Sequence, residues 1–517
     1  MGQTTFIITV VVLVVLIGIV GSVTYNQLQN VNAQYNSLQN TYNSLQNQYN
    51  ALQSSYNNSQ DQYNTLLSSH NTLLGRFNAL QSVYNSLQSQ YNSLQSTYDA
   101  LLATPGLTYD ITNYGAIPDD QNDDISAFQK ILSAHPSNLQ IHIPRGTFLI
   151  STAIVLNNNN NITIFGEGAS SIIKLTAQNN IIRIESSKNV IIKDLALDGS
   201  SQYNTGTSAG ISAGFYADNL QVQCVYIHDT TGNGIDVYAS KNTIINNCGV
   251  DNTGKTGINS HVSGFAVILN SVDGAQITNN QINGFFGDSG IFTGGFIPGF
   301  LMRNALIDHN TITGAHTDEG SGIGIWGAEN CIITNNIIHD DQPQYDSKDN
   351  IFQGIDGICL IEESHIIVSD NEVYRITGVG IEINNGTDVL AINNYVHDFQ
   401  GEARNSAGFY VSAANTLVEN NTIEDATHFG ILIGVGEPMD NEQIIHNTIR
   451  DTRGVSFTDP AGIRIILEGI DKKNLAIIDN TLINNTYGIY KTGSGQLINA
   501  IITGNTIIGS QIPYDFH

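Results

Sequence analysis

The sequence predicts an all-β solenoid, a single-stranded parallel β-helix, behind a long α-helical stalk. Three observations predict it. A seven-residue apolar pattern runs unbroken from Leu28 to Leu101. The composition changes at Pro105: before it the only charged residues are Asp61, Arg76 and Asp99. After it, Ile-x-Asn-Asn-x-Ile followed by Gly-Ile-x-Ile recurs every 23 to 35 residues, a period too short for a βαβ crossover and typical of stacked coils.

Residues 1–25 come first in the chain. Phe6 to Val23 carries no charge, and at 1.5 Å per residue it reaches roughly 27 Å, the thickness of a bilayer core. This segment reads as a transmembrane anchor, with a cleaved signal peptide as the competing reading. It implies a single-pass membrane protein with its bulk extracellular. Five N-x-S/T sequons, at Asn57, Asn161, Asn385, Asn420 and Asn484, are compatible with that placement.

Residues 26–104 form the stalk. Tyr dominates heptad position a (Tyr42, Tyr49, Tyr56) and Leu position d (Leu38, Leu45, Leu52). Spacings of 3 and 4 keep one apolar seam on a helix, and such a seam must pair. The expectation is a self-associating coiled coil, dimer or trimer, roughly 110 Å long. A disordered Asn/Ser-rich linker is the alternative. Ser59 and Gly75 weaken the seam, and Thr104-Pro105-Gly106 ends it.

Residues 105–517 form the β-helix domain, with about 12–13 coils by the motif count. Short strands pair with the coils above and below at about 4.8 Å. Inward Ile and Val fill the core, and the repeated Asn (Asn280, Asn310, Asn336 and onward) is expected at a left-handed turn, stacked into a hydrogen-bonded ladder. The open first coil needs a cover. The stretch 123–134 supplies one as a helix with an acidic N-terminus and an apolar face of Ile125, Phe128 and Leu132.

The β-helix part holds 18 basic and 44 acidic residues, a net 18 − 44 = −26. Such a surface repels phosphate backbones and argues against nucleic acid as a partner. It suits glycans and Ca²⁺. Cys224, Cys248, Cys331 and Cys359 lack metal-ligand spacing and read as buried free thiols.

Tyr109–Ile150, with Tyr114-Gly115-Ala116, Asp123-Asp124 and Ile143-Pro144-x-Gly146-Thr147-Phe148, followed by the Gly166-Glu167-Gly168 turn, resembles the N-terminal segment of the pectate-lyase-like superfamily. The resemblance covers roughly 107–510 and implies a right-handed parallel β-helix. Members include polysaccharide lyases, polygalacturonase-type hydrolases, uronate epimerases, viral tailspikes and proteins without catalysis, so the fold alone does not choose a function. The sequence departs from the hydrolase pattern: it has no Gly-His-Gly, and Ile466 stands where Arg-x-Lys would put its Lys. The Asp-Pro-His of the epimerases is missing as well, with Asp459-Pro460-Ala461 as the nearest fragment.

In such solenoids the sugar groove follows the Gly-Ile-x-Ile strands, where x faces outward. Along successive coils x reads Phe292, Gly324, Cys359, Glu382, Tyr410, Leu432, Arg464 and Tyr490. Asp356 and Glu382 fall on adjacent coils, roughly 5–8 Å apart. They are the expected acid and base at a glycosidic bond, or alternatively two ligands for Ca²⁺. Arg464 joins them as a catalytic or acid-sugar-clamping residue. Trp326, Tyr410, Asn384 and His428 are the expected substrate-binding residues. Ordinary solvated side chains are the competing reading of the strip. The long loop from about 339 to 352, with Asp340, Asp341, Asp346 and Asp349, would wall the groove. Two functions follow: a surface-tethered lyase or hydrolase acting on polysaccharide, or a non-catalytic adhesin, glycan binder or envelope component displayed on a stalk.

Overall fold

The structure is a computed structural model that describes residues 8, 10–19, 21, 22, 24, 27–34, 36–57, 107–200, 208–254, 264–295, 297, 302–316, 320–341, 354–400, 406–434, 439–452 and 459–516. The chain forms two compact units, 1–101 and 102–517.

The first unit is helical throughout its described residues, up to residue 57. Seam residues Leu28, Val31, Leu38, Tyr42, Leu45, Tyr49, Leu52 and Tyr56 are 58–70% exposed in the single chain. From Ser59 onward the expected seam lies outside the described residues. The membrane anchor is corrected here: no helix among the described residues is long and apolar enough to cross a bilayer. The expectation of a single-pass, membrane-held protein with its bulk extracellular falls with it.

Among the described residues of the second unit, 42 strands form one continuous sheet, and two short strands, Lys472–Lys473 and Leu497–Ile498, form another. Each strand pairs in parallel with its counterpart one coil away, as in Ile307↔Ile333 and Ile277↔Ile307. Period-2 alternation decides which side chains enter. Ile277, Ile307, Ile333, Val368, Ala391, Val418, Ile444 and Ile477 are fully buried, one per coil, while their flanking residues are not.

The Asn ladder forms one turn from that core. Nδ2 of Asn310, Asn336, Asn371, Asn394, Asn421 and Asn447 donates at 2.9–3.0 Å to Oδ1 of the next rung. The same Oδ1 accepts the previous rung's backbone N–H, as from Asn371 to Asn394 at 3.1 Å. Two details differ from the sequence reading. The left-handed residue is the one before each rung, such as Asn335 (φ 54°) and Asn393 (φ 56°). Asn247 is itself left-handed (φ 54°). Its rung is taken by buried Cys248, whose N–H donates to Asn280 Oδ1 at 2.9 Å.

The cap is the helix Ile125–Ala134. Its buried face is Ile125, Ala127, Phe128 and Ile131, while Leu132 is only partly buried. Asp124 does not cap the helix by its side chain. Its carboxylate accepts from Ile117 and Leu149 N–H groups at 3.0 and 3.1 Å, tying the cap to the first coil.

Candidate active site

The outward column is continuous. Cys359 pairs with Glu382, Glu382 with Tyr410, Tyr410 with Leu432, Leu432 with Arg464 and Arg464 with Tyr490. Two residues further on, Trp326 pairs with Ile361, Ile361 with Asn384 and Asn384 with Ser412. Period-2 alternation and the preceding Gly of each coil hold this register.

Asp356 lies in the strand Ile355–Ile361 and Glu382 in Ile381–Ile392. Acceptor atoms of Asp356, Cys359 and Glu382 all fall within 4.8 Å of one another. Each is held in place. Asp356 Oδ1 accepts from Val379 N–H at 2.6 Å. Asn384 Nδ2 donates to Glu382 Oε1 at 3.1 Å, and the Cys359 thiol donates to Oε2 at 3.4 Å. Gly378 is required nearby, because a Cβ there would stand 2.2 Å from Asp356 Oδ1. Burial, followed by the charge and hydrogen bond of Glu382, pushes the Asp356 carboxyl well above the usual carboxylate range. The Cys359 thiol is pushed up by burial, then by Glu382 and Asp356. The surroundings of Asp356 thus favour its protonated form.

Two further carboxyl groups surround the pair. Glu363, 2% exposed, has no hydrogen-bond partner on either side-chain oxygen beyond its own backbone N–H and is pushed up to about 8, chiefly by burial. Asp341, 7% exposed, has an unpartnered Oδ2 and is raised by burial and by Asp340. Asp340 itself faces Arg375, whose Nη2 donates at 2.7 Å. Asp346 and Asp349 lie outside the described residues. The Ca²⁺-ligand reading of Asp356 and Glu382 therefore meets a larger acidic group than the sequence pointed to. Glu363, in the turn after its strand, gave no signal in the outward-residue pattern, and Cys359 stood in that column without an assigned role.

The other expected residues distribute along the column, in which Phe292, Gly324, Cys359, Leu432 and Tyr490 are buried. Tyr410 sits one coil from Glu382. Gly434 leaves room for its ring, since a Cβ there would come within 2.6 Å of the Tyr410 hydroxyl. Trp326 is 37% exposed and meets Phe292 edge-on at 5.6 Å. His428 is buried, tilted against Phe429. Arg464 is three coils from Glu382, about 14 Å at coil spacing, so it is not in contact with the carboxyl pair. Its guanidinium lies between the Tyr490 ring at 4.3 Å and the Phe429 ring at 5.5 Å. It donates to Asp459 O and Thr492 Oγ1, both at 3.3 Å, and its buried Nε has no partner.

Over residues 341–507 the chain matches the family described as right handed beta helix region, and over 109–343 the one described as rhamnogalacturonase A/epimerase, pectate lyase-like. Both support the pectate-lyase-like superfamily of right-handed β-helices. The pre-neck appendage protein of Bacillus phage phi29 is 28% identical over 215 residues, covering 35% of this chain and 24% of the relative. The preneck appendage protein of Bacillus phage PZA matches to the same extent. The chain thus spans about a quarter of the length of the curated relatives it matches. Among solved structures, pre-mature bacteriophage phi29 gene product 12 has a TM-score of 0.55 at 16% identity, over 82% of this chain and 58% of that one. An alginate lyase in complex with G6 has 0.50 at 14% identity, over 81% and 90%. At these identities the likeness establishes the fold.

Proposed function

We propose that this chain is a polysaccharide-directed β-helix protein. In this reading it lays an extended glycan along the outward Gly-Ile-x-Ile column and performs acid–base chemistry on a glycosidic linkage with Asp356 and Glu382. The observation that carries the reading is the carboxyl pair, two groups on adjacent coils with oxygens within 4.8 Å, flanked by Tyr410. That separation is closer to the ~5–5.5 Å of a pair in which one carboxylate attacks than to the ~6.5–9.5 Å that admits a water between them. Asp356, whose carboxyl is pushed up, donates the proton to the departing oxygen. Glu382, held by Asn384 and Cys359, serves as the nucleophile or base. Tyr410 and Trp326 offer ring surface to the sugars. Arg464, some three coils away, binds an acidic group on the glycan, because its guanidinium forms no ion pair with a carboxylate among the described residues despite the −27 charge of the protein.

A second reading is a non-catalytic, self-associated appendage that contacts glycan without cleaving it. The names of the curated relatives and the exposed heptad seam favour it. One experiment separates the two. The full chain is incubated with polygalacturonate, alginate and surface glycans, and unsaturated products and new reducing ends are followed. Cleavage that falls by a factor of roughly 10²–10⁴ in both Asp356→Asn and Glu382→Gln supports the catalytic reading. Cleavage unaffected by either substitution sinks the assigned pair. Binding without cleavage favours the appendage reading.

A further inference from the structure

Among the described residues, no Lys, Arg or His forms an ion pair with Asp341, Asp356, Glu363 or Glu382. Arg375 is engaged by Asp340 instead. Buried charge of one sign is neutralised by protons or by a cation. Beside the cluster, Oδ2 of Asp341 and both side-chain oxygens of Glu363 are buried without a hydrogen-bond partner beyond the Glu363 backbone. The described residues also contain a cluster that needs no such explanation. Asp198, His228 and Asp229 are partly exposed, and Lys174 Nζ stands 2.6 Å from Asp198.

We propose that Asp356, Cys359 and Glu382 bind a thiophilic divalent cation of the zinc type, with Asp341 and Glu363 supplying the surrounding negative charge. A tetrahedral ion with metal–sulfur bonds of ~2.3 Å and metal–oxygen bonds of ~2.0–2.2 Å needs ligand atoms roughly 3.4–3.6 Å apart. The three side chains already bring theirs within 4.8 Å, and Cys359 Sγ is 3.4 Å from Glu382 Oε2. Asn384 engages only Oε1 of Glu382, which leaves Oε2 for the metal once the thiol proton has gone. The thiol selects the ion: Ca²⁺ and Mg²⁺ take oxygen ligands, whereas zinc and its soft congeners take thiolate. Binding converts one thiol and one carboxylic acid to thiolate and carboxylate and releases both protons to solvent. The ion would occupy the oxygens assigned to acid–base chemistry, so metal-loaded protein is expected to be silent toward glycan. Metal binding does not depend on that chemistry and is read directly.

The test uses the full chain carrying Cys224→Ser, which removes the exposed thiol. Cadmium serves as a spectroscopic stand-in for zinc. The expected result is one equivalent of Cd²⁺ bound with a thiolate-to-cadmium charge-transfer band, displaced by Zn²⁺ and not by Ca²⁺. Cys359→Ser should abolish the band, and Cys331→Ser should leave it. Asp356→Asn and Glu382→Gln should keep the band and weaken affinity at least tenfold. A band that survives Cys359→Ser, displacement by Ca²⁺, or no binding at all overturns the proposal. If Cys359→Ser does not fold, unchanged affinity in the two carboxyl variants overturns it equally.

Discussion

Glu363 gives the sharpest stability prediction, because its environment penalises only one of its protonation states. The carboxyl is 2% exposed, and beyond its own backbone N–H neither oxygen has a hydrogen-bond partner. Burial, against a lowering contribution from its own backbone N–H and with Glu382 and Glu362 adding to the rise, takes it from an ordinary 4.5 to about 8. Between those values the folded state holds a proton that the unfolded state has released. Stability is therefore full below about pH 4.5, falls as pH rises through the window, and levels off above about 8. At ~1.4 kcal/mol per pH unit this single group costs about 5 kcal/mol across the window. Glu363→Gln keeps the shape and removes the titration. Urea unfolding of the full chain at steps from pH 5 to 9, with chelator present so that no cation balances the cluster, should show the variant gaining on the parent by several kcal/mol toward pH 9. Asp236, pushed up to about 7 by burial, slopes the same way in both proteins and cancels in the difference. Parallel curves over the whole range would refute the reasoning.

Asn394→Ala should cost about 3–5 kcal/mol in the same unfolding assay. It leaves the Asn371 N–H, one Asn371 amide hydrogen and Val368 O buried without partners. Asn393→Gly, at a left-handed position (φ 56°), should stay within a few tenths of a kcal/mol. Arg464→Ala should weaken binding of carboxylated glycan at least tenfold by calorimetry and leave neutral glycan unaffected. Arg464→Lys should not restore it, since an ammonium cannot lie flat between Phe429 and Tyr490. Leu45→Asp with Leu52→Asp, at 62% and 70% exposed seam positions, should reduce the sedimenting mass to that of one chain if the heptads hold copies together.

The solenoid was legible because its determinants are periodic. Each Gly-Ile-x-Ile marks the same place in a coil, so the outward column from Phe292 to Tyr490 could be written from sequence and reappears residue for residue in the strand register. The cap was legible as a helix, yet its face was misread by one residue, with Ile131 rather than Leu132 turned inward. The anchor was misread for a different reason. Hydropathy alone measured 18 residues, whereas spanning requires an apolar helix of that length, and none is found among the described residues.

The chemistry was less legible because it depends on where the period fails. Strict alternation from Ile358 would turn Gly357 outward and Asp356 inward. Instead a Cβ on Gly357 would strike Val373 Cγ1 in the core at 2.3 Å, so Gly357 faces in and Asp356 is turned out toward Glu382. Only glycine can take that place, and a glycine gives no sign in sequence of which way its missing side chain points. Glu363 is hidden by the same device one coil on: Gly386 has no Cβ, which would sit 2.2 Å from Glu363 Oε1, and the vacated space admits a carboxyl to the interior beside Glu382. Two glycines thus admit carboxyl groups to places that a regular coil would fill with Cβ atoms. A column of outward residues could list Cys359 and Glu382 as neighbours, but the burial of Glu363 beside Glu382 follows from local departures that the column does not show.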